Sequence, residues 1–129
     1  MSPHPSAVNR TIVIVGASDR PDRTSHQLLS RIKARSDLHP ILVHPRLKEI
    51  DGIPVHSSLA DVPLHPEIVT LYVNAEASQK LVDDLQRLKP GKVIFNPGAE
   101  NRELMNLLNQ AGIDTEDACS LVLLSQNAL

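Results

Sequence analysis

Residues Thr11-Ile12-Val13-Ile14-Val15 constrain the fold of this chain more than any other stretch: five β-branched side chains run without a polar break and end at Gly16. β-Branched residues are crowded in a helix and pack well on a pleated surface. The absence of polar alternation requires both faces of the strand to be buried, the situation of an inner strand in a parallel sheet covered on both sides. Gly16 lets the backbone turn tightly and approach another group without a Cβ in the way. Downstream, Thr24 with Gln27 three residues on predicts a capping box opening an amphipathic helix whose apolar stripe is Leu28, Leu29 and Ile32. Strand, glycine turn and helix start in this order make an anion cradle, because free N–H groups and the helix dipole converge there. Arg20 and Arg23 add positive charge to the same loop.

The rest of the chain repeats the strand–helix alternation. His39 to Val43 predicts a second strand, ending in His44-Pro45-Arg46. Asp51-Gly52 predicts a tight turn between the short extended pieces Glu49-Ile50 and Ile53-Pro54-Val55. Ser58 and Asp61 can cap a helical turn ended by Pro63. Ile68 to Val73 is the third predicted strand, followed by one helix over Ala75 to Leu88 that stops at Pro90-Gly91. Lys92 to Phe95 is the fourth strand, and Asn96-Pro97-Gly98 follows it. Leu104, Leu107, Leu108 and Ala111 mark a further helix closed by Gly112. Ile113 begins a short fifth strand, and Asp117 to Leu124 reads equally as helix or strand.

This pattern predicts an α/β fold, a doubly wound three-layer sandwich around a five-stranded parallel sheet of order 3-2-1-4-5. A crevice should open between the ends of strands one and four, where Gly16-Ala17-Ser18 and Asn96-Pro97-Gly98 would meet. Residues 1–10 read as a loose leader, with His4 solvated, and residues 11–129 as a single domain.

Composition narrows the partners. The chain of 129 residues is 41% hydrophobic, enough for a core, and its formal net charge of -2 argues against nucleic acid as the main ligand. One cysteine, Cys119, excludes an internal disulfide and fits a reducing compartment. With no apolar run of membrane-spanning length and no signal pattern, a cytoplasmic protein is expected, with no membrane partner. The six histidines lack the spacing and carboxylate company of a zinc site, so no metal is expected. With Tyr72 and Phe95 as the only aromatic residues among Phe, Tyr and Trp, an adenine ring would rest on aliphatic and proline surface.

The G-x-G-x-x-G fingerprint is absent, since Ala17-Ser18-Asp19-Arg20-Pro21 follows Gly16, and no G-x-x-x-x-G-K-[ST] loop is present. After the second strand, where an acidic residue would take a ribose hydroxyl, stands His44-Pro45-Arg46, with Lys48 beyond it. A cation there favours an extra ribose phosphate, which NADP and coenzyme A both carry.

The segments Val15 to Ser25, Val43 to Pro45, Asp51 to Pro63 and Asn96 to Gly98, in this order and spacing, resemble the small stand-alone CoA-binding proteins. These are relatives of the N-terminal domain of the succinyl-CoA synthetase α subunit, with a Rossmann-like fold. The resemblance spans about residues 10–127, and Ile94 to Asn101 and Asp117 to Ser125 look like one bacterial branch. It implies that coenzyme A or an acyl-CoA lies along the carboxyl edge of the sheet. Gly16, Ala17 and Ser18 would offer N–H groups to the phosphates, Ser25 a hydroxyl, and Arg20 and Arg23 charge. The family usually carries Asn-Pro-Lys after the second strand; here His44, Pro45 and Arg46 keep the charge and lose the Asn. Tyr72, Val73 and Asn74 would line the crevice, with Asn96, Pro97 and Gly98 near the pantetheine arm. The family's cysteine in the closing segment motivates a mixed disulfide between Cys119 and the CoA thiol, against the plainer role of a small buried hydrophobe.

The related synthetases carry their phosphorylated histidine and their ATP site on further domains, for which 129 residues leave no room. No serine–histidine–acid set is evident either. The expectation is therefore a binding module without catalysis, compatible with a homodimer or with docking to an acyl-CoA enzyme. The competing readings are a small NADP-linked oxidoreductase and a regulatory or scaffolding domain with a vestigial pocket.

Overall fold

The structure, a computed structural model, describes residues 10–129. Most of the expected leader, with His4, lies outside the described residues. Arg10 does not belong to it: it opens strand β1 (Arg10–Val15) and pairs with Leu38. There follow α1 (Thr24–Lys33), β2 (Leu38–Val43), β3 (Glu49–Ile50), β4 (Ile53–His56), β5 (Ile68–Leu71), α2 (Ala75–Gln79), α3 (Val82–Leu88), β6 (Lys92–Phe95), α4 (Arg102–Gln110), β7 (Asp114–Asp117) and α5 (Ser120–Ser125). The ambiguous closing segment is thus a short helix after β7.

These strands form a mixed α/β, Rossmann-like sheet of seven strands in the order β3-β4-β2-β1-β5-β6-β7. All pairings are parallel except the β3–β4 hairpin. The expected five strands in order 3-2-1-4-5 are corrected by this arrangement. Ile53–His56, expected only as an extended piece beside a turn, is a full sheet member that pairs with β2. It takes the place beside β2 assigned to Ile68–Val73, and that strand, as β5, crosses to the other side of β1. The chain therefore reverses direction between β1 and β5, not between β1 and β6.

The hairpin matches its sequence signal. Asp51 and Gly52 both have positive φ, 51° and 81°, the backbone a two-residue turn of the primed type needs to follow the strand twist. The side chains of β1 alternate between two cores. Val13 and Val15 pack with Leu85 and Leu88 of α3 and Leu104 and Leu108 of α4. Ile12 and Ile14 pack with Leu28, Leu29 and Ile32 of α1 and Leu124 of α5. The unbroken β-branched run has this origin: each residue of β1 from Ile12 to Val15 is buried, whichever face it serves.

Two helical expectations change. The segment 75–88 is two helices: at the break the Lys80 and Leu81 N–H groups donate three residues back, to the Ala77 and Ser78 carbonyls, and the Asn101 side-chain amide donates to the Ala75 carbonyl at 3.1 Å and the Ser78 hydroxyl at 3.0 Å. In α4, Leu104 and Leu108 are buried, whereas Ala111 is an exposed residue past the helix end, just before Gly112 turns the chain at φ 84°.

Candidate functional site

The carboxyl ends of β1, β2, β4 and β5 surround a cleft of about 1010 Å³. Its walls are the loop from Gly16 to Arg23 with Thr24 and Ser25 of α1, the turn from His44 to Leu47, the residues Ser57 to Leu59 after β4, Tyr72 and Val73 after β5, and Ala77, Lys80 and Leu81 around the α2–α3 break. This is the crevice of an open α/β sheet at the point where the strand order reverses.

The glycine loop works differently from the expected cradle. The N–H groups of Gly16 and Ala17 both donate to the Val43 carbonyl, at 3.1 and 3.2 Å, so they hold the loop to β2 and are not presented to a ligand. Gly16 has φ +85°, and a Cβ there would stand 3.0 Å from the Tyr72 carbonyl oxygen and from a Val73 methyl. Glycine is required for this loop to lie against the end of β5. The N–H groups left without a partner lie instead toward α1. Thr24 is the first helical residue and Arg23 the capping position, so the expected Thr24 capping box does not form and no side chain caps the helix. The backbone N–H groups of Ser18, Thr24 and Ser25 accordingly make no hydrogen bond among the described residues. No acidic residue stands in the first turn of α1. Uncapped N–H groups and the dipole of a ten-residue helix together suit an anion.

Charge agrees with this geometry. Arg20, Arg23, Arg46 and Lys80 line the cleft against the single carboxylate of Asp19, although the chain as a whole is acidic at -2. Arg20 sits 3.7 Å from Asp22 in an exposed pair, which is weak in water and leaves the guanidinium available. Ser18 Oγ accepts the Arg20 N–H at 3.0 Å and so shapes the loop. Ser25 is buried at the foot of the cleft, on the same face of α1 as Leu28 and Leu29.

After β2, His44 Nδ1 accepts the N–H groups of Arg46 and Leu47. The ring thus does what a side-chain carbonyl does in an Asx turn, so the turn forms without an Asn at this position. Tyr72 lines the cleft, but its hydroxyl is buried without a hydrogen-bond partner among the described residues. Burial pushes its pKa up to about 12; neighbouring Cys119 adds to the rise, and the Thr70 and Ser120 hydroxyls pull the other way.

Five nominated residues stand outside the cleft walls. Asn74 caps α2, its Oδ1 accepting the Ala77 N–H at 2.8 Å. Asn96 is buried, and its amide donates to Thr70 Oγ1 at 2.6 Å and the Leu71 carbonyl at 2.8 Å, while Oδ1 accepts the Ser120 N–H at 2.9 Å. It is a clamp between β5, β6 and α5. Pro97 and Gly98 follow β6, which β5 separates from β1. Cys119 is half-buried at the capping position of α5, next to Tyr72 but not among the residues that line the cleft.

The model of the CoA binding domain matches residues 10–125. The chain belongs to this CoA-binding domain family. Among its relatives, the uncharacterised Bacillus subtilis protein YneT is 28% identical over 104 residues, covering 81% of this chain and 76% of that protein. A crystal structure of an uncharacterised protein is 30% identical with a TM-score of 0.86, covering 94% of this chain and 98% of the other. The dinucleotide-forming acetyl-coenzyme A synthetase 1 of Ca. Korarchaeum cryptofilum, solved with phosphate and ADP, shares the fold at 19% identity and a TM-score of 0.70, over 84% of this chain and 25% of that one.

Several cleft residues of this family member were not nominated from sequence. Ser57 and Ser58 follow β4, and reading Ile53–His56 as a strand would have placed them at the same sheet edge as Ser18. Lys80 and Leu81 reach the cleft through the helix break, which no Gly or Pro marks in the sequence.

Proposed function

We propose that this chain binds coenzyme A or an acyl-CoA in the cleft between β1 and β5, as a binding module. The diphosphate rests on the uncapped start of α1 and the Ser18 amide, flanked by Arg20 and Arg23; the ribose phosphate lies toward Arg46. The one observation that carries the reading is a cation-lined cleft at the strand reversal of a CoA-binding family fold, with helix N–H groups left free. Its volume, about 1010 Å³, is at the top of the usual range for cofactor sites, about 300–1,000 Å³, and suits an extended cofactor.

Calorimetry with CoA, acetyl-CoA, NADP and ATP tests this. Micromolar CoA binding with none for NADP is expected, and Ser18→Glu, which puts a carboxylate beside the proposed diphosphate position, should abolish it. Binding of NADP alone, or of none of the four, would remove the reading.

A further inference from the structure

His44 directly follows β2, with its ring folded over the turn that comes after it. Nδ1 accepts the Arg46 N–H at 3.0 Å and the Leu47 N–H at 3.1 Å. The backbone N–H of His44 donates to the His56 carbonyl at 3.0 Å, anchoring the residue to β4. Pro45, between them, has no N–H to contribute and sets its own φ. Two donors converge on one Nδ1 lone pair, so the neutral ring carries its proton on Nε2. An imidazolium has a hydrogen on both nitrogens and can accept neither amide. Arg46 and Leu47 line the cleft from this turn.

We infer that His44 is a positioning residue whose Nδ1 lone pair holds the Arg46–Leu47 turn against the cleft, so that protonation of the ring releases the turn and weakens anion binding. For its ligand, the inference rests on the reading of the cleft as a CoA site. The charged and titratable groups that share the cleft with it or adjoin it are Arg46 and Lys48 on its own loop, His56 on β4, Asp19, Arg20 and Arg23 on the loop after β1, and Lys80 at the α2–α3 break. A positive ring among them would, by Coulomb attraction alone, strengthen anion binding. The two roles therefore predict pH effects of opposite sign.

The test compares the wild type with His44→Asn and His44→Ala by CoA calorimetry from about pH 8 to pH 5, the range in which histidines change charge. Asn Oδ1 can accept the same two amides in an Asx turn and does not titrate. At pH 8, His44→Ala should bind up to about thirtyfold more weakly, the loss expected for two hydrogen bonds. His44→Asn should stay within about threefold of wild type, as an acceptor replacing an acceptor. The ratio of wild-type to His44→Asn affinity should fall on acidification; protonation of the CoA phosphates, Asp19 and His56 acts on both proteins and cancels. A flat ratio, or one that rises, overturns the inference. In the ligand-free protein, the Arg46 and Leu47 amide resonances should follow the titration of the His44 ring and lose that dependence in His44→Asn. Amides indifferent to the ring also overturn it. If no CoA binds at any pH, the proposed function fails, and the amide titration still decides the role of His44.

Discussion

Asn96→Ala separates a structural clamp from a ligand contact. The side chain is 2% exposed and makes three hydrogen bonds: its amide donates to Thr70 Oγ1 and to the Leu71 carbonyl, and its Oδ1 accepts the Ser120 N–H. Thr70 and Ser120 also bond to each other at 2.8 Å, so truncation leaves those hydroxyls paired. The Leu71 carbonyl keeps the backbone N–H of residue 96 at 3.4 Å, so the group left without a partner is the Ser120 N–H at the start of α5. At about 1 kcal/mol net per bond, the loss should be about 3 kcal/mol. For a chain of this size that is roughly a 10 °C fall in Tm. Urea unfolding followed by circular dichroism measures it, with the midpoint moving and the slope unchanged. Asn96→Asp keeps the acceptor for Ser120 but loses both donors and buries a carboxylate, so it should cost at least as much at neutral pH. CoA affinity of folded Asn96→Ala should stay within about twofold of wild type, because the residue does not line the cleft. A stability loss below about 1 kcal/mol, or CoA binding lost while stability is retained, would refute this reasoning.

Tyr72 is the only tyrosine and the chain has no tryptophan, so near-ultraviolet phenolate absorbance reports it alone. Its midpoint should be about 12 in the folded protein and about 10 in urea. Since the folded pKa is the higher, the protonated phenol favours the fold; this stabilisation is complete below the unfolded pKa and is lost as pH rises through the folded value. A folded midpoint at the unfolded value would contradict the burial. Tyr72→Phe removes a buried hydroxyl that has no partner and should be neutral or stabilising in urea unfolding. Gly16→Ala should cost about 1–3 kcal/mol through its positive φ and the Tyr72 carbonyl. Gly52→Ala, at φ +81° with open space around it, should lose only about 1 kcal/mol, and equal losses at the two sites would mean that the contact at Gly16 does not matter. The double variant Arg20→Ala/Arg23→Ala should bind CoA about tenfold more weakly and with a shallower salt dependence, measured by calorimetry at several ionic strengths.

What the sequence determined by itself is local. The β-branched run made β1 an inner strand, Asp51-Gly52 made a hairpin, and Gly112 ended a helix, because each outcome depends on sterics within a few residues. The position of the glycine turn after β1 also located the cleft. What only the tertiary structure decided depends on partners distant in sequence. Ile53–His56 joined β2 and displaced Ile68–Leu71 to the far side of β1, moving the reversal point away from Asn96. The Gly16 and Ala17 amides went to Val43, so the free N–H groups are those of Ser18 and the start of α1. The Asn96 amide turned inward to Thr70 and Leu71. A backbone preference is written in the residue that has it, but a hydrogen bond or a sheet neighbour belongs to whichever distant group the packed chain brings within reach.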